Sequence, residues 1–283
     1  MAARAARDAG RAGTLSTRVN PDYVHGYSQK ESVRLVDQAT SLTELLHSDT
    51  AYPAGSVVLE AGCGVGAQTV ALAANSPQAA FVSIDLSEAS LAQARLRTRG
   101  LPNVLLQRAD IFALPFAPES FDHVFVCFVL EHLRDPAAAL AHLRRVLKPG
   151  GSMTVIEGDH GSAYFHPDSE AARGAIRCLV DLQRDAGGDS LIGRRLYPLL
   201  VRAGLREVRV SPRMVYADGS RPQMAEGFTR KTFTAMVEGV AREALGRGLI
   251  DQATWDAGIR DLYRAAEPDG TFCYTFFKAV GTC

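Results

Sequence analysis

Short apolar runs recur along the chain near 57–61, 80–85, 103–108, 121–127, 151–157, 205–211 and 272–280. They are too short for core helices and rich in Val, Ile, Leu and Phe, which predicts strands. Helical spacing of apolar positions fills 67–75, 87–99, 136–147 and 168–186. The first five strands alternate with helices, so the pattern predicts a parallel sheet covered by helices on both faces. Lys148-Pro149-Gly150-Gly151 reads as a helix stop followed by a turn.

Two stretches are less regular. Residues 19–50 carry Tyr23 and Tyr27, then Val33, Leu35, Val36, Ala39, Leu42, Leu45 and Leu46 at helical spacing. This predicts a helical cap ahead of the first strand. Residues 212–271 lie between the last two strands and are mostly helical in spacing, with Phe228, Phe233, Met236, Trp255 and Leu262 among the apolar positions. Extra core packing and a lid over a substrate pocket both fit that insert, because loop insertions in α/β folds shape specificity. The expected organisation is a disordered extension over 1–18, the cap over 19–50, and a core over 51–211. The insert over 212–271 and a final core strand over 272–283 follow.

Composition narrows the function. The chain has 283 residues, is 47% hydrophobic and 22% charged, and carries 31 basic and 31 acidic side chains. Net charge of zero gives no electrostatic case for nucleic acid. No apolar run reaches the length of a membrane span, so no membrane partner is expected. The first 18 residues hold four arginines without an apolar h-region, and Asp8 argues against a transit peptide. The five cysteines are scattered, with no Cys-x-x-Cys pair, so no metal site is expected and reduced cytoplasmic thiols are the simplest reading. Oligomeric state stays open, a homo-oligomer included.

The most informative stretch is Val57-Val58-Leu59-Glu60-Ala61-Gly62-Cys63-Gly64-Val65-Gly66-Ala67. An apolar run, a glycine-rich bend and a helix begin a βαβ unit that wraps a nucleotide-like cofactor. Glu60 would repel a pyrophosphate and would tolerate a cationic amino-acid tail. Asp85 closes the second strand 23 positions after Gly62, where a carboxylate can accept ribose hydroxyls. Asp110 and Ile111 follow the third strand. A short acid there can accept an adenine amino group and an apolar neighbour can pack on the ring; Asp110 can equally cap a helix.

Taken together, Val58 to Gly66, the Asp85 strand end, Asp110-Ile111, the strand-four run ending Glu131-His132-Leu133 and Leu147-Lys148-Pro149-Gly150-Gly151 resemble the class I S-adenosylmethionine-dependent methyltransferases. The resemblance covers about 57–157 and says little about the substrate. It implies a seven-stranded, mostly parallel sheet whose last strand runs antiparallel between two others. It implies that Glu60, Gly62, Cys63 and Gly64 border the methionine part of S-adenosylmethionine. Asp85 and Leu86 would hold the ribose, Asp110 and Ile111 the adenine, and Phe128 would approach through its backbone. Small-molecule members close a segment over the cofactor, which makes Tyr27 and Gln38 candidate contacts. Cys63 fits a small loop-filler better than a nucleophile.

In an open α/β sheet the carboxyl ends of the strands line the active site. His132 follows the fourth strand, and Glu157 and His160 follow the fifth, so these three are the candidates for proton transfer. The loop Phe128-Val129-Leu130-Glu131 lacks the prolines of the amino-methylating Asn/Asp-Pro-Pro-Tyr pattern. Neutral charge and an apolar insert favour a small, hydrophobic methyl acceptor. A nicotinamide-dependent oxidoreductase and a non-catalytic cofactor-binding protein are the rival readings.

Overall fold

The computed structural model describes residues 42–283. After a helical segment over 42–47, the elements are β1 (Val57–Ala61), α1 (Ala67–Asn75), β2 (Ala80–Asp85), α2 (Glu88–Arg97) and β3 (Val104–Arg108). Next come β4 (Phe121–Cys127), α3 (Pro136–Val146), β5 (Leu147–His166), α4 (Glu170–Asp185), α5 (Leu196–Arg202) and β6 (Arg206–Ala217). An insert and β7 (Thr271–Thr282) complete the chain. The sheet order is β3-β2-β1-β4-β5-β7-β6. β1 to β5 run parallel, while β7 lies antiparallel to both β5 and β6. The expected sheet is therefore the observed one.

Helix starts follow their local chemistry. Ser87, Asp135 and Ser169 each accept a backbone N–H three residues on, capping α2, α3 and α4. Such caps contribute about 0.5–2 kcal/mol apiece. α1 differs: it starts from left-handed Gly66 with no side-chain cap.

Three boundaries depart from expectation, and one of them is the end of β5, which runs past Glu157 to His166. Lys148 to Gly151 is not a free turn. α3 ends at Val146 and the chain passes directly into β5, where Leu147 pairs with Phe121. A Cβ on Gly151 would meet the Asp122 carbonyl oxygen at 2.5 Å, so glycine permits the close strand approach. β6 continues to Ala217, because its second half ladders onto β7 as far as Ala217 and Phe272. The insert between the two strands thus spans 218–270.

Each sheet face has its own core. One packs α1, α4 and the insert on Phe81, Phe125, Ile156, Tyr274 and Phe276. The other packs α3 and α5 on Leu59, Val124, Val126 and Val155. The insert holds a π-helical run Ala225–Thr234 continuing into Ala235–Glu238, then α6 (Ala241–Gly246) and α7 (Gln252–Arg264). Phe228, Phe233, Val237 and Leu262 are buried in the first core. Among the described residues, no helix is long and apolar enough to cross a membrane.

Candidate functional site

The glycine-rich bend follows β1. Gly62, Gly64 and Gly66 have φ of 77°, 52° and 76°, backbone that L side chains rarely adopt. Gly62 and Cys63 both donate to the Ile84 carbonyl, which ties the bend to the end of β2. A Cβ on Gly62 would sit 2.4 Å from Val129 Cγ2, so the loop after β4 packs on the bend. At Gly64 no described atom comes within 4 Å of a Cβ position. The bend therefore presents bare backbone to an open space.

Two acids flank it. Glu60 is buried, and its Oε2 accepts from Ser83 Oγ at 2.6 Å and Thr69 Oγ1 at 2.8 Å. Burial raises its pKa to about 7; the two hydroxyls pull back and nearby Asp85 pushes further up. Asp85 is half-buried. Its Oδ2 accepts from Gly64 N and its Oδ1 from Ser87 N, both at 2.8 Å. Burial raises its pKa against those two N–H groups. Cys63 is buried with its thiol pushed far up by burial, which suits a filler and not a nucleophile.

Asp110 Oδ1 accepts from Phe112 N at 2.9 Å and caps the short 3₁₀ turn Ile111–Ala113. The capping alternative for Asp110 is thus realised, and Ile111 begins that turn half-buried. Leu86 is half-buried, and its carbonyl accepts from Arg108. Phe128 sits at φ 58°, donates its N–H to Ile156 O at 2.9 Å, and lies 5.3 Å from Phe276 between ring centroids. Tyr27 and Gln38 lie outside the described residues.

The turn after β4 and the middle of β5 carry further polar residues. Glu157 is fully buried; its Oε1 accepts from Leu130 N at 2.7 Å and Val129 N at 3.0 Å. Its Oε2 is buried with no partner among the described residues. Burial first, then the neighbouring Glu131, raise its pKa well above the carboxylate range. His132 is half-buried with Nε2 3.4 Å from Glu131 Oε1. His160 Nδ1 is 2.7 Å from the Tyr274 hydroxyl, and its backbone N–H donates to Ser190 O. Asp159, also buried, receives Arg194 as a fork, Nε to Oδ2 at 2.6 Å and Nη2 to Oδ1 at 2.7 Å.

Glu157 and His160 lie within β5, which runs on to His166 and does not end at Glu157 as the sequence suggested; His132 follows β4. The sequence reading missed Thr69 and Ser83, which grip Glu60, and Tyr274, Gln183 and Arg194. Gln183 carried a signal: it is a polar residue four positions after Leu179 on the apolar stripe of α4. Tyr274 was hidden as one aromatic among Phe272, Phe276 and Phe277. Among the described residues, no His/Cys/Asp/Glu group could hold a metal ion.

Comparison with known proteins agrees with this geometry. Residues 59–155 match the family described as "Methyltransferase domain". An uncharacterized 37.1 kDa protein in a Streptomyces fradiae transposon is 35% identical over 218 residues, 72% of this chain and 62% of that protein. Demethylmenaquinone methyltransferase of Staphylococcus aureus is 33% identical over 132 residues, 46% of this chain and 55% of that protein. The chain spans less than two thirds of either relative's length. The structure of Haemonchus contortus phosphoethanolamine N-methyltransferase 2 with S-adenosyl-L-methionine superposes with a TM-score of 0.57 at 16% identity. It covers 95% of this chain and 60% of that one.

Proposed function

Because the core of this chain is a class I S-adenosylmethionine-dependent methyltransferase domain, we propose that the protein methylates a small, largely hydrophobic acceptor. The observation that carries the cofactor assignment is the pairing of open space at Gly64 with two acids, Glu60 and Asp85, beside it. Bare backbone admits a ligand, and two carboxyl groups favour a cation and oppose a pyrophosphate.

When bound, S-adenosylmethionine supplies a methyl group on a sulfonium whose departure leaves a neutral thioether. The residues that would hold it are Glu60, Gly62, Cys63 and Gly64 at the bend, Asp85 and Leu86 after β2, and Asp110 and Ile111 after β3. Phe128 would add its backbone after β4, and Tyr27 and Gln38 would add contacts from the cap. The protein's main task is alignment of nucleophile and methyl carbon, which can be worth about 7–11 kcal/mol. Glu157, His132 and His160 stand where an acceptor proton would be taken. Glu157 suits a base once a bound cation offsets the burial that opposes its ionisation: one oxygen is fixed by two backbone N–H groups and the other is uncommitted among the described residues. Phe228 and Phe233 of the insert are core packing on Tyr274, at 5.5 and 5.4 Å between centroids; the hydrophobic acceptor is supported by the likeness to demethylmenaquinone methyltransferase.

A labelled-methyl assay against a metabolite extract tests the reading, paired with calorimetry of S-adenosylhomocysteine against NAD. Transfer of label to a small molecule and selective binding of S-adenosylhomocysteine are the expected results. Preference for NAD, or binding without transfer to any metabolite, would overturn it.

A further inference from the structure

Beneath the turn after β4 lie three buried polar atoms that meet no partner among the described residues: Glu157 Oε2, Gln183 Oε1 and Ser190 Oγ. Their side chains belong to residues 0%, 1% and 2% exposed. Glu157 and Gln183, and the neighbour of Ser190, all bond the turn after β4. Glu157 Oε1 accepts from Leu130 N, and Gln183 Nε2 donates to Glu131 O at 3.2 Å. Asp189, next to Ser190, donates its N–H to that same carbonyl at 2.8 Å. A Cβ on Gly188 would meet the Glu131 oxygen at 2.4 Å and Gln183 Cγ at 3.1 Å, so a bare glycine lets the α4 end approach the turn.

The turn is also the wall of the cofactor cradle, since its Val129 packs on Gly62. Phe128, at its start, faces Phe276, which lies 4.8 Å from Tyr274 between centroids. The turn that Glu157 and Gln183 bond thus borders the cofactor bend on one side and the Phe128, Phe276 and Tyr274 rings on the other.

Donors and acceptors do not balance there. Gln183 Oε1 is an acceptor, Glu157 Oε2 is one when ionised, and the Ser190 hydroxyl reaches neither. A buried acceptor without a donor is costly, so a bound group must bring hydrogens. A neutral hydroxyl brings one. An ammonium brings up to three, and its positive charge favours the ionised form of Glu157 that burial and Glu131 oppose. Gln183 also lies in the last turn of the 16-residue α4, where the helix dipole favours a cation. The aromatic faces suit the same charge.

We infer that Glu157, Gln183 and Ser190 form a subsite for a protonated amine, and that the methyl acceptor is a hydrophobic amine. The inference rests on the methyltransferase reading and narrows it. The acceptor nitrogen gives one proton to Glu157 and takes the methyl carbon with its freed lone pair. The sulfonium–methyl bond breaks, and its electrons stay on sulfur.

Calorimetry on the full chain saturated with S-adenosylhomocysteine tests the subsite, with 2-phenylethylamine and 2-phenylethanol as matched probes. The amine should bind at least tenfold more tightly. Gln183→Leu should cut that advantage at least fivefold while S-adenosylhomocysteine affinity stays as in the wild type. Glu157→Gln, which keeps the oxygen facing Leu130 N, should reduce the advantage to under threefold and guards against misfolding of the first variant. Equal affinity for the two probes, binding of neither, or an advantage that survives both variants would overturn the inference. So would a crystal soaked in the amine that shows water alone on Glu157 Oε2 and Gln183 Oε1. Failure of S-adenosylhomocysteine itself to bind would instead refute the methyltransferase reading, and the subsite with it.

Discussion

Glu60 should make the protein less stable and its cofactor tighter at the same time. In the ligand-free fold its carboxyl is raised from 4.5 to about 7, chiefly by burial. A raised folded-state value means stability that is complete below the unfolded value and lost as pH climbs through the folded one. At about 1.4 kcal/mol per tenfold, the shift amounts to about 3 kcal/mol lost by pH 8, and to only about 1 at pH 5. Glu60→Gln keeps an oxygen for Thr69 and Ser83 and cannot ionise. Urea unfolding should therefore show the variant about 3 kcal/mol more stable than wild type at pH 8, with the gap shrinking to about 1 kcal/mol at pH 5. Comparing the two proteins at each pH cancels the other titrating groups, Glu157 included. In calorimetry at pH 7.5 the same variant should bind S-adenosylmethionine at least tenfold more weakly, because the negative charge opposite its cation is gone. A variant no more stable than wild type at pH 8, or a gap that does not change with pH, would refute the burial argument. Unaltered affinity would refute the charge argument.

Other outcomes follow from single contacts. Gly64→Val forces a β-branched residue to φ 52° and fills the open space, so S-adenosylhomocysteine binding should fall at least 100-fold by calorimetry with unchanged far-UV circular dichroism. His132→Ala and His160→Ala should each lower turnover about tenfold or more while cofactor affinity stays near normal; wild-type rates in both would remove histidine from proton transfer. Leu179→Ala empties a fully buried position on α4 and should cost about 2–5 kcal/mol in urea unfolding. A loss under 1 kcal/mol would show that the face collapses around the gap.

The sheet was legible because apolar runs and helix caps are local signals. β1, β2 and β4 lie where the runs lie, since burial on both faces leaves a continuous hydrophobic signature. The extra lengths of β5 and β6 were not legible. Tyr164 and His166 in one, and Arg213 and Tyr216 in the other, are not an apolar run; they are strand because their backbones ladder onto β7. The same divide runs through the site. The bend and Asp85 are joined over 21 residues within one βαβ unit and can be read from spacing. His160 and Tyr274 are 114 residues apart, and Gln183 reaches Glu131 across 52, so only the folded chain brings them together.

The antiparallel seat of β7 sets an order on biosynthesis. β5 leaves the ribosome complete at His166, yet the strand that covers its outer side begins at Thr271. At about 5–20 residues per second, that flank stays open for roughly 5–20 s of translation. During this interval a 20-residue strand offers unpaired amides to any passing chain. Slow codons or stalling between α4 and β7 should therefore raise insoluble yield more than the same delay placed before β5.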